Sequence, residues 1–169
     1  SLGLVGSEMC IRDSDKPFSG SEGMIISPIP ISKAMNLVKN KGKVIYLSPQ
    51  GKTLNQKKVK DLATLNDLTI ICGRYEGIDQ RIIDEYVDEE ISIGDYVLSG
   101  GEIAATVLID SIVRNLPGAL GNEKSLTNDS FSDGRLKGHS YTRPRDFEGR
   151  KVPDELISGN HELVLSLIH

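Results

Sequence analysis

The chain has 169 residues, 38% of them hydrophobic and 26% charged, with a formal net charge of −4 at pH 7. This is the make-up of a globular chain long enough to bury a core, as one domain or one domain with a small appendage, and it excludes a low-complexity or fibrous protein. No apolar run approaches the roughly 18 residues of a membrane-spanning helix, and the start lacks the basic-then-apolar order of a signal peptide, so no membrane partner is expected and the cytoplasm is the expected compartment.

In chain order, residues 1–14 show no period, lead into no element and are set aside as an artefact. Pro17–Gly23 reads as a Gly/Ser loop and Ile31–Asn40 as a short helix ended by Gly42. Val44–Leu47 is a strand stopped by Ser48-Pro49-Gln50-Gly51. Asn55–Leu65 reads as a polar helix, Leu68–Cys72 as a second strand stopped by Gly73, and Asp79–Tyr86 as a helix with Ile82 and Ile83 inward. Ile91–Val97 is a third strand-like run broken by Gly94, and Gly100-Gly101 precedes a long helix over Glu102–Leu116. Strands alternating with helices predict an α/β fold with a mostly parallel sheet. Each strand runs into a glycine-containing turn at its carboxyl end, the edge where such sheets bind ligands.

In the last helix Glu102, Thr106, Asp110 and Arg114 recur every four residues and form one polar stripe, while apolar residues cover most of the remainder. Such a helix is expected to be buried or to pack on a partner chain, with the arginine stripe buried too. Residues 119–136 lack apolar periodicity and read as a linker, followed by Tyr141–Pro144 and an amphipathic segment over Pro153–Ile168. Charge is uneven. Nine acids and Arg81 alone among bases lie in 76–102, whereas Arg135, Lys137, Arg143, Arg145, Arg150 and Lys151 gather in 134–153. The basic stretch is a phosphate contact or a solvated loop, and charge alone leaves both open.

Several chemistries are disfavoured. Gln50-Gly51-Lys52-Thr53 ends like a phosphate-binding loop, but Tyr46 stands where its first glycine belongs. No Gly-x-Gly-x-x-Gly follows a strand, which counts against a dinucleotide site and a Rossmann-type methyltransferase. Cys10 and Cys72, and His139, His161 and His169, share no metal-ligand spacing, so no metal or disulfide is expected.

Four stretches in order resemble the TrmD family of bacterial tRNA (guanine-N1)-methyltransferases, within the SPOUT superfamily: Leu47-Ser48-Pro49-Gln50-Gly51; Cys72-Gly73-Arg74-Tyr75-Glu76-Gly77-Ile78-Asp79; Ser92-Ile93-Gly94-Asp95-Tyr96-Val97-Leu98-Ser99-Gly100-Gly101-Glu102; and Tyr141-Thr142-Arg143-Pro144. Ser158-Gly159-Asn160-His161 adds to them, and the resemblance runs from about residue 15 to the end. It implies a trefoil-knotted parallel α/β fold with a small C-terminal helical domain. The expected division is a knotted cofactor domain over 15–120, a linker over 121–136 and a tRNA-binding helical domain over 137–169. Family members carry a strand and helix before the Pro17 loop. The first strand is therefore expected to be missing, and the helical domain to be short.

The implied cofactor is S-adenosyl-L-methionine, held between three walls. The first is Tyr46, Leu47, Ser48 and Pro49; the second Gly73, Tyr75, Glu76 and Gly77; the third Ser92, Ile93, Gly94, Tyr96, Leu98, Gly100 and Gly101. Glu76 stands where a carboxylate could hold the cationic part of the cofactor. The implied reaction is methylation of N1 of guanosine 37 in tRNA, with Asp129 as general base and Arg114 as its cationic partner at O6. The implied partners are the tRNA anticodon arm, held through Arg143, Arg145, Arg150 and Lys151, and a second copy of the chain in a homodimer with composite sites. Two alternatives stay open: a SPOUT methyltransferase with another RNA target, and a non-catalytic RNA-binding fragment.

Overall fold

The computed structural model describes residues 13–119, 130–131, 136 and 138–157. The chain divides into two compact units, with the boundary between Ala119 and Leu120.

The first unit is a mixed α/β fold around a parallel sheet. Strands β1 (Ser14–Asp15) and β2 (Ile25–Ile26) form an antiparallel pair across the Pro17–Gly23 loop. Helix α1 spans Pro28–Leu37, three residues earlier at each end than the sequence reading. Its first turn holds Pro28 and Pro30, where a missing N–H costs nothing because helix starts leave those donors unpaired. Val38 is already extended, so the helix stops before Gly42. That glycine instead sits at φ +55 against the Asp67 backbone, where a side chain would collide.

The central strand β3 runs over Lys43–Thr53, and β4 over Leu68–Cys72 pairs with it in parallel. On its other side lies β5, Glu89–Ser92, giving the order β4-β3-β5. The third strand is thus shorter than Ile91–Val97, and the first is longer than Val44–Leu47. Pairing of β3 with β5 breaks where the sequence reading placed a stop: Leu47 and Lys52 both oppose Ile91, so residues 48–51 bow out. Gly51 permits this, because a Cβ there would lie 2.5 Å from the Glu90 carbonyl carbon and the Ile91 nitrogen.

Helix α2 (Gln56–Ala63) is capped by the Asn55 side chain, which accepts from the Lys58 N–H at 2.9 Å. The Asp79 carboxylate caps α3 (Gln80–Tyr86) by accepting from the Arg81 N–H at 3.0 Å. Alternation along β3 assigns the helices to faces. Ile45 and Leu47 pack with Ile91, Leu62 of α2, and Ala104, Ala105 and Leu108 of α4 (Gly101–Val113). Val44 and Tyr46 pack on the opposite face with Ile71, Met35 of α1, and Ile78 and Ile82 at α3. Glu89 ties the edges together, reaching Lys43 at 2.6 Å and Lys58 at 2.7 Å.

Helix α4 is buried on one face only, so of the two expectations, burial or packing on a partner chain, complete burial within this chain does not hold. Ala104, Ala105 and Leu108 are buried, but Ile103 is 66% exposed and Val107 45%. Arg114 is exposed at the helix C-cap, so the arginine stripe is not buried.

In the second unit, β6 (Asp146–Phe147) and β7 (Arg150–Lys151) form a hairpin. Glu148 and Gly149 both take positive φ, 54° and 81°, as a two-residue turn between twisted strands requires. A helical turn over Asp154–Ile157 follows. No helix among the described residues is long and apolar enough to cross a membrane, and no group of three or more His, Cys, Asp or Glu among them could hold a metal.

Candidate active site

The three glycine-bearing turns meet at the carboxyl edge of the sheet in the first unit. The 73–77 turn and the start of α4 are tied directly: the Gly101 N–H donates to the Gly73 carbonyl at 2.8 Å, and Arg74 bridges to Gly100. From below, β2 holds the same turn. Glu76 N–H donates to the Met24 carbonyl at 2.9 Å, and Ile26 N–H to the Gly77 carbonyl at 3.0 Å. Tyr75 sits at φ +59, an unusual conformation for a tyrosine that aligns this turn. In the third turn the Ser92 hydroxyl donates to the Gly94 carbonyl at 3.0 Å, and the Tyr96 ring lies across Gly94.

Together the turns enclose a cavity of about 460 Å³, within the range of small-ligand sites. Every residue named for the cofactor lines it: Tyr46, Leu47, Ser48 and Pro49; Gly73, Tyr75, Glu76 and Gly77; Ser92, Ile93, Gly94, Tyr96, Leu98, Gly100 and Gly101. Two sides differ in chemistry. Toward α4 the wall is Leu47, Ile91, Ile93, Leu98 and Ala104. Toward α3 it is Tyr46, Gln80, Ile83 and Glu90, with Glu76 on the turn above. Burial, then the nearby Glu90 carboxylate, push the Tyr46 phenol up from its ordinary pKa, against a hydrogen bond from the Ile78 backbone.

The lining also contains residues that the sequence reading passed over. Arg74 pairs with Glu102 at 2.8 Å on the exposed side, and this pair holds the Glu102 carboxyl below its usual range. Glu90 has one carboxylate oxygen, Oε2, that is buried and has no hydrogen-bond partner among the described residues. Neither was legible, because each depends on a contact between distant segments. The spacing of Glu102 in the polar stripe pointed along its own helix instead.

Arg114 is not part of this lining. The cavity meets α4 at Gly101 and Ala104, whereas Arg114 caps the far end of that 13-residue helix, about 15 Å along the axis from Ala104 and about 20 Å from Gly101 at 1.5 Å per residue. Asp129 lies outside the described residues. Arg143, Arg145, Arg150 and Lys151 belong to the second unit, on and just before the β6–β7 hairpin, and all four are exposed.

A sequence model of the family described as tRNA (guanine-1)-methyltransferase TrmD matches residues 9–167, and so reaches into the segment set aside at the start. Among similar curated proteins, the tRNA (guanine-N(1)-)-methyltransferase of Lactobacillus johnsonii is 52% identical over 92% of this chain. The Clostridium perfringens (strain SM101) protein of that name is 54% identical over 88% of it, and the one from Protochlamydia amoebophila 50% over 94%. The matched part makes up 64%, 63% and 72% of those proteins respectively, so the chain spans about two thirds of their length. With a family match over nearly its whole length and relatives at half identity, this chain belongs to the TrmD family of tRNA (guanine-1)-methyltransferases.

Proposed function

We propose that this chain carries the cofactor cavity and part of the RNA-binding tail of an enzyme that methylates N1 of guanosine 37 in tRNA from S-adenosyl-L-methionine. The observation that carries the reading is the convergence of three turns, distant in sequence, on one cavity of ligand size. The lining fits an adenosyl group. A flat apolar ring suits the wall of Leu47, Ile93, Leu98 and Ala104, and glycines expose backbone donors and acceptors to its edge. Winding of the chain through these turns as a trefoil knot is part of the same proposal.

The cofactor supplies an electrophilic methyl group on a sulfonium centre. Guanine N1 carries a proton and is a poor nucleophile until it is removed. Asp129 accepts that proton as N1 takes the methyl group. A carboxylate with an ordinary pKa of about 3.9 is a weak base for this task. Arg114 compensates by placing positive charge at O6, where negative charge collects. Because Arg114 caps the end of α4 remote from the cavity, it serves a second copy of the chain. Exposed Ile103 and Val107 on α4 support such a homodimer with composite sites. Arg143, Arg145, Arg150 and Lys151 contact phosphates of the anticodon arm, and the target base leaves its stack to reach the cavity. Such an enzyme works in the cytoplasm, with its tRNA.

The test is transfer of labelled methyl to tRNA that carries or lacks G37. Label is expected only on the tRNA with G37, and the Asp129→Asn variant is expected to bind cofactor while losing roughly 10²- to 10⁴-fold in rate. Equal labelling of both tRNAs assigns a different RNA target. RNA binding with no transfer leaves a non-catalytic fragment.

A further inference from the structure

Glu90 lines the cavity, and one of its carboxylate oxygens, Oε2, is shut off from solvent and has no hydrogen-bond partner among the described residues. A fold seldom leaves a buried carboxylate oxygen unpaired, because the lost hydration is not returned; a cationic ligand group in the cavity beside this carboxylate would offset that cost.

Its position identifies the ligand group. Glu90 opposes Tyr46 in the β3–β5 register, so both side chains stand on the α1/α3 face of the sheet. The next pair, Leu47 with Ile91, stands on the α4 face, where the apolar wall begins. An adenosyl group lying against that wall continues around β3 at the bowed residues 48–51 within the strand, whose Gly51 touches the Glu90 backbone. The part of the molecule that reaches the α3 side is then its amino-acid end. That end carries an ammonium, with three donors and a full charge for a carboxylate acceptor.

Building on the methyltransferase reading, we infer that Glu90 binds the α-ammonium of the cofactor and thereby selects ligands that carry an amino-acid end over bare adenosyl thioethers. Glu76, on the turn above, faces the same cavity but belongs to a different wall. Glu90 is therefore a specificity-determining residue, and the proton transfer does not involve it.

Calorimetric titration of the chain and of Glu90→Gln tests this with four ligands: S-adenosylmethionine, S-adenosylhomocysteine, decarboxylated S-adenosylmethionine and 5′-methylthioadenosine. The amide keeps the shape and loses the charge. The first three ligands, which retain the amine, are expected to weaken by roughly tenfold to a hundredfold, as for loss of a charge-assisted hydrogen bond, while methylthioadenosine is unchanged. The melting temperature of the unliganded variant is expected not to fall, since no internal partner is lost; a fall would mean a structural role. Equal weakening of all four ligands, or of none, overturns the inference. If the unmodified chain binds none of the four, the cofactor cavity itself is refuted, a result distinct from an unaltered Glu90→Gln variant.

Discussion

The Gly101 N–H donates to the Gly73 carbonyl at 2.8 Å, joining the start of α4 to the turn that ends β4. The contact is close enough to exclude a side chain. A Cβ on Gly101 would lie 2.9 Å from the Cys72 Cα and 3.2 Å from the Gly73 nitrogen, both backbone atoms that cannot swing aside. Gly101→Ala is therefore expected to separate the second and third turns of the cavity. Stability should fall by about 1–3 kcal/mol, the cost of overpacking, and S-adenosylmethionine affinity by tenfold or more. Thermal melts with and without ligand measure both. A variant as stable and as tightly binding as the parent would mean that the turns need not touch.

The neighbouring glycine makes a different prediction. A Cβ on Gly73 would meet the Tyr46 hydroxyl at 2.8 Å and ring atom Cε2 at 3.1 Å. Here the obstacle is a side chain, and its nearest atom can be removed by mutation. Gly73→Ala should impair cofactor binding, and Gly73→Ala with Tyr46→Phe should recover part of the loss. The double-mutant cycle is expected to show a coupling of about 0.5–3 kcal/mol, as residues in contact do. Strict additivity in titrations of the four proteins would rule out this contact as the reason for glycine at 73.

The fold was legible where a local signal fixes it. Asn55 and Asp79, where the sequence begins two helices, cap α2 and α3, and Leu68–Cys72 forms β4 with the expected bounds. It was illegible where pairing across the sheet decides. Pro49 and Gly51 read as the end of a strand, yet β3 resumes pairing with Ile91 at Lys52 after the bow. The helix expected from Ile31 in fact begins at Pro28, because the first helical turn tolerates prolines. Quoted by family resemblance, the cavity residues come together as a set, but Glu90 was hidden. A second glutamate in an acidic run looks like a solvated charge until the register turns it toward Tyr46.

Glu89, beside it, points to the other face and has a structural part. Burial raises its carboxyl, but hydrogen bonds from Lys43 and Lys58 outweigh this and bring it below the usual carboxylate value. A depressed folded pKa gives stability that is present above the unfolded value, near 4.3, and lost as pH falls through the folded one. Glu89→Gln is expected to cost about 1 kcal/mol at pH 7, with the gap between the two melting curves closing below pH 4. A gap that stays constant from pH 7 to pH 3 would show that shape, and not ionisation, holds the β3–β5 edge to α2.

Arg114 poses the sharpest test of the composite site. It stands at one end of α4 and the cavity at the other, so no single copy of this helix brings them together. If Arg114 completes the cavity of a second copy, the two defects are separable by subunit. Gly101→Ala damages the cavity of its own chain, and Arg114→Ala removes the cation that the chain lends to its partner. Each variant alone is expected to be inactive in methyl transfer. A mixture whose subunits exchange should regain activity, because each mixed dimer pairs an intact cavity from one chain with an intact Arg114 from the other. Size-exclusion chromatography confirms that exchange has occurred when differently tagged copies co-elute. Exchanged dimers that stay inactive would mean that Arg114 acts within its own chain, through a bend of α4 or a role apart from the reacting base.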